Sequence, residues 1–63
     1  MDAHEIVQKL KTTPYKFTYA HKVRDEVKRM NDEDCDFIKS QIRRAMGQPE
    51  NKDIVKPLSQ ILN

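Results

Sequence analysis

The residues able to do chemistry are few: His4, His21, the lone Cys35 and the acidic run Asp32, Glu33, Asp34 and Asp36. Zinc needs three or four ligands converging on one point. His4 and His21 each lack a second His, Cys or carboxylate at ligand spacing on their own helical face, so both read as solvated side chains. Cys35 sits one turn inside an acid-rich helix start. Burial and four neighbouring carboxylates oppose a thiolate there, and no His or Asn stands in a recognisable nucleophile motif with it. It reads as a small core residue. The acidic run lacks the alternating oxygen ligands and central glycine of a calcium loop, and it lies where a helix N-terminus favours negative charge. Gly47, the only glycine, cannot by itself build a phosphate-cradling loop. No catalytic residue, metal ligand or cofactor site is assigned, so the chain is expected to be no enzyme and to take no small-molecule substrate.

Cations carry the one ambiguous chemical signal. Residues 14–30 hold Lys16, Lys22, Arg24, Lys28 and Arg29 against Asp25 and Glu26, and residues 37–46 add Lys39, Arg43 and Arg44. A helix-turn-helix DNA reader sets the start of its second helix against base edges. Here that start would be Asp32 to Asp36, which phosphates repel. Binding of nucleic acid would therefore run through phosphate contacts by Lys22, Arg24, Lys28, Arg29, Arg43 and Arg44, and would be salt-dependent.

The elements that position these residues follow from periodicity. The 63 residues carry a net charge of +2, 35% charged and 37% hydrophobic residues, one Gly and three Pro, which favours helices over a turn-rich sheet. Asp2 and Glu5 resemble a capping box, opening a helix at about 2–11 with Ala3, Ile6, Val7 and Leu10 on one stripe. Thr13-Pro14 signals the next start, for a helix over about 14–30 whose narrow apolar face is Tyr19, Ala20, Val23, Val27 and Met30. Asn31 and the acids that follow cap a third, 32–46, with Gly47 as the expected left-handed stop. Its stripe is Cys35, Ile38, Ile42, Ala45 and Met46. Asp53 or Asn51 could cap a last helix over about 53–62, in which Pro57 is tolerable only within a first turn.

The expected fold is all-α: one small three- to four-helix bundle over residues 1–63, built on a central antiparallel hairpin of 14–30 and 32–46. Its expected core is Ile6, Leu10, Tyr19, Val23, Val27, Met30, Cys35, Ile38, Ile42, Ala45, Ile54, Leu58 and Leu62. A chain this short buries only about 60% of its unfolded surface, so help from a twin subunit is a natural expectation. Phe37, with Gln41 and Arg44 on the same flank of the third helix, and Tyr15 and Phe17 offer large surface to a partner. An aromatic anchor beside an arginine is a common hot-spot combination. The expected function is therefore a non-enzymatic regulatory or interaction protein, homodimeric and bound to a protein partner, with nucleic-acid association as the alternative. A single cysteine fits a reducing compartment, no apolar run nears the ~20 residues of a membrane span, and no signal peptide is visible. The expected setting is the cytoplasm.

Overall fold

Asp2 holds extended backbone and its carboxylate accepts the Glu5 N–H at 2.8 Å, so the chain becomes helical immediately after it. In the computed structural model, which describes residues 1–63, this first helix, α1, spans Ala3–Thr12. It runs one residue past the expected stop because the Thr12 hydroxyl donates back to the Gln8 carbonyl at 3.1 Å, a local bond open to a threonine at a helix end. Its carbonyl end is then closed by Lys16, whose ammonium donates to the Leu10 and Thr13 carbonyls at 2.6 and 3.1 Å.

Pro14 does not open the second helix. The Thr13 hydroxyl accepts the Tyr15 N–H at 3.1 Å, which holds Pro14 and Tyr15 in a side-chain turn, and α2 spans Lys16–Lys28. It closes two residues short of the expected end: Arg29 and Met30 donate to the Glu26 and Val27 carbonyls in a tightened turn. Asn31 then accepts the Asp34 N–H at 2.8 Å and starts α3, Asp32–Met46, as its cap chemistry requires.

Gly47 is not a left-handed stop. Its φ is −81°, open to any residue, and a side-chain carbon added there would meet only the Arg44 carbonyl at 3.5 Å. The end of α3 is instead satisfied by a tightened turn, in which Gly47 and Gln48 donate to the Arg44 and Ala45 carbonyls, and by Asn51. That side chain is buried and donates to the Ala45 carbonyl at 2.9 Å, so it caps the preceding helix rather than the following one. Residues Pro49–Ile54 form a 3-10 helix that runs directly into α4, Val55–Leu62. Pro57 is the third residue of α4, where the N–H it lacks would be unpaired anyway.

All four helices and the 3-10 helix meet in one cluster: Ile6, Val7 and Leu10 from α1, Ala20, Val23 and Val27 from α2, Ile38 and Ile42 from α3, and Ile54, Leu58 and Ile61 from the C-terminal segment. The Cα radius of gyration is 10.6 Å, matching the ~2.2·N^0.38 Å of a compact chain. The expected all-α bundle is what forms. Within it, α2 finds its most extensive neighbour in α4, and its contact with α3 is the slighter one. The buried residues of α2 are small, which lets the α4 backbone approach closely. Five expected core residues, Tyr19, Met30, Cys35, Ala45 and Leu62, are only partly buried at the edge of this cluster. Val7, Ala20 and Ile61 take the interior instead; Ile61 continues the four-and-three spacing of Ile54 and Leu58, and Leu62, about 100° round the helix from Ile61, lies at the edge. No helix is long and apolar enough to cross a membrane.

Candidate surface along α1 and α3

The two helices that α2 links in sequence, α1 and α3, run side by side in the same direction. Met1 and Asp2 line a groove with Asp34 and Phe37 at one end, while at the other Lys11 donates to the Glu50 carbonyl and lies 3.9 Å from Asp53. Their seam is left open. The groove at the helix starts, about 290 Å³, is lined mainly by apolar side chains, Met1, Met30, Phe37 and Ile38. A second cleft, about 500 Å³, lies further along between α1, α3 and the 3-10 helix. Its less exposed lining is Ala3, Val7 and Ala45 with the polar Lys11, Gln41 and Asn51, and its rim carries His4, Gln8 and Arg44.

Phe37 is 64% exposed in this setting. Its neighbours on the helix surface are fixed by 3.6 residues per turn: Asp34, Phe37, Gln41 and Arg44 fall within an arc of about 80°, offset from the buried stripe toward α1. Asp34 and Arg44 are exposed and Gln41 is half-buried. The structure therefore brings Phe37, Gln41 and Arg44 together on the seam, and adds Met1, His4, Gln8 and Asp34, which sequence reasoning did not join to them. The missing signal was His4 and Gln8 on α1, with Met1 ahead of it: the two helical residues are polar enough to read as a solvated face until α3 is seen beside them.

Tyr15 and Phe17 do not belong to the same patch. They are 71% and 48% exposed, but they follow the C-terminal end of α1, whereas Phe37 stands beside its N-terminal end, a helix length of ~15 Å away. The six cations likewise do not merge into one field. Arg29 precedes the start of α3 and Arg43 and Arg44 lie in its last turn, about 20 Å along a fifteen-residue helix. Arg24 is half-buried, and its Nε is buried without a hydrogen-bond partner, so less of it faces solvent than of the other five. Lys22, Lys28, Arg29, Arg43 and Arg44 are exposed, and the one ion pair in the molecule, Lys11 with Asp53, involves none of them.

Cys35 is a free thiol, half-buried against the core. His4 stands on the rim of the larger cleft and His21 is exposed on α2. Two groups titrate away from their ordinary values. The Glu5 backbone N–H holds the Asp2 carboxyl below 3.8, and desolvation, with Glu26 and Glu5 nearby, holds the Tyr19 phenol above 10.0. No protein family, curated protein or solved structure matches this chain.

Proposed function

We propose that this chain is a small, non-enzymatic interaction protein that acts by binding protein, in the first place a second copy of itself, through the α1–α3 seam. The observation that carries this reading is Phe37, 64% exposed beside a groove lined by Met1, Met30 and Ile38. Water-exposed aromatic and thioether surface clustered at one place marks an interface more often than a scatter of single apolar residues does. Arg44 and Gln41 on the same flank add the polar contacts that orient such an anchor. The free Cys35 supports a reducing, cytoplasmic setting. Molar mass followed by sedimentation across micromolar to millimolar concentration tests it: the wild type associates, and Phe37→Ala shifts the midpoint to higher concentration with an unchanged helical signal. A monomer at every concentration removes the homodimer.

A second reading has its own observation. Lys22, Lys28, Arg29, Arg43 and Arg44 are exposed and free of carboxylate partners, a supply of positive charge for phosphates without reading sequence. It predicts duplex retardation at low salt that disappears steeply as salt rises. Absence of retardation at low salt ends it.

A further inference from the structure

The stripe Asp34, Phe37, Gln41, Arg44 is spaced three, four and three residues apart, so it is symmetric about Lys39. Turned end over end, it meets itself with complementary chemistry: Asp34 falls opposite Arg44, and Phe37 opposite Gln41. A twofold interface requires this kind of pattern, because each contact must occur twice with the partners exchanged. We infer that the α1–α3 face closes a homodimer in which two α3 helices cross antiparallel at the height of residue 39 along the helix axis, each Phe37 entering the other subunit's α1–α3 cleft. This rests on the self-association proposed above and specifies its geometry.

Three features select a second copy as the occupant. The first is charge. Along this flank α3 is acidic at its start, at Asp34, and basic at its end, at Arg44; a parallel pairing sets like against like, while the antiparallel one forms two opposite-charge pairs about 15 Å apart on the helix. The second is shape. Gln41, the residue opposite Phe37, lines the 500 Å³ cleft to which Ala3, Val7 and Ala45 contribute the apolar surface. An aromatic ring crossing at Gln41 therefore meets the three apolar residues of that cleft, Ala3, Val7 and Ala45, among polar neighbours that include Lys11, Glu50 and Asn51, and the same ring on the other subunit does likewise. The third is availability: Asp34, Phe37 and Arg44 are exposed, and neither charge has an ion-pair partner within its own chain. The larger cleft also carries His4, Gln8 and Gln48 on its rim, donors and acceptors that remain wet or bridge through water at a polar periphery.

Charge reversal in trans tests this geometry. Asp34→Arg and Arg44→Asp, each confirmed folded by circular dichroism, are measured alone and as an equimolar mixture by sedimentation equilibrium. Each alone places like charges opposite one another twice and weakens association by about tenfold or more. The mixture restores it, because the mixed dimer regains two opposite-charge pairs. Where reversal costs folding, Asp34→Asn and Arg44→Gln remove charge only and weaken the dimer by a smaller factor. Isotope-filtered NMR on mixed labelled and unlabelled wild type shows Phe37 ring protons near Val7 and Ala45 methyls of the other copy. A wild type that dimerises and is weakened by Phe37→Ala, yet is indifferent to both reversals and shows no recovery on mixing, overturns the antiparallel pairing and leaves the self-association reading standing. A wild type that stays monomeric overturns both and leaves the face to a protein of different sequence.

Discussion

The α2–α4 seam and the α1–α3 seam differ in finish. Across the first, Ala20, Val23 and Val27 meet a C-terminal segment carrying Ile54, Leu58 and Ile61, and none of the six is more than 3% exposed. Across the second, Ala3 and Ala45 are only half-buried, two open clefts remain, and the longest aromatic side chain on either helix points outward. Small residues let α2 and α4 close on each other until water is excluded. On α1 and α3 the positions flanking the core stripe are amides, charges and a phenylalanine that stays exposed. Both pairs feed the same core, α1 and α3 through Ile6, Leu10, Ile38 and Ile42, but only the α2–α4 seam is closed to its edge, and the outer side of the α1–α3 seam stays open.

Substitutions that break the closed seam should be the most damaging. Val27→Asp buries an unpaired charge and should abolish the cooperative thermal transition. Leu58→Ala, at a fully buried site, should cost about 2–5 kcal/mol, a large share of the ~3–9 kcal/mol expected for a chain of 63 residues. A melt shifted by only a degree or two would mean that the packing of α4 on α2 does not hold the fold together. Next in size is Asn51→Ala, which removes the hydrogen bond to Ala45 that joins the 3-10 helix to α3; urea denaturation should show a loss of about 1 kcal/mol. Gly47→Ala works in the other direction. With φ at −81° and only an ordinary contact to meet, it should raise stability by about 0.4–1 kcal/mol through the unfolded chain.

On the open seam the expectation reverses. Phe37→Ala should leave the stability of the monomer within about 0.5 kcal/mol while reducing association, and a large loss of monomer stability would make Phe37 a core residue after all. The smallest effect is alkaline. The folded pKa of Tyr19 lies above the 10.0 of the unfolded phenol, so above pH 10 the folded state binds more protons than the unfolded one and stability falls as pH rises. The loss begins near pH 10 and ends once pH passes the folded value; Tyr19→Phe should flatten that limb of the stability curve, and an unchanged limb would assign it elsewhere.

Much of the fold was legible because local chemistry dictates it. Asp2 and Asn31 cap the helices that follow them, since a short side-chain acceptor next to unpaired N–H groups acts within three residues. Ile6, Leu10, Val23, Val27, Ile38, Ile42, Ile54 and Leu58 are buried as their spacing requires. Less legible were the ends decided by a neighbour. Asn51 has the chemistry to cap the next helix, yet it serves Ala45 behind it because the 3-10 turn brings it there. Lys16 reads as a surface cation until the α1 carbonyls lie within its reach. Arg24 reads as one until packing buries its Nε.

The candidate site divides in the same way. Phe37, Gln41 and Arg44 share a flank by helical geometry alone, and that flank was visible in the spacing. What lay beside it was not. Periodicity fixes which residues of a helix face together, since 3.6 residues per turn is a property of the backbone, but it says nothing about which helix lies next to which. That choice belongs to packing. The close fit of α4 on α2 leaves α1 parallel to α3, and only this arrangement turns an exposed phenylalanine into a knob beside a cleft and separates it from Tyr15 and Phe17.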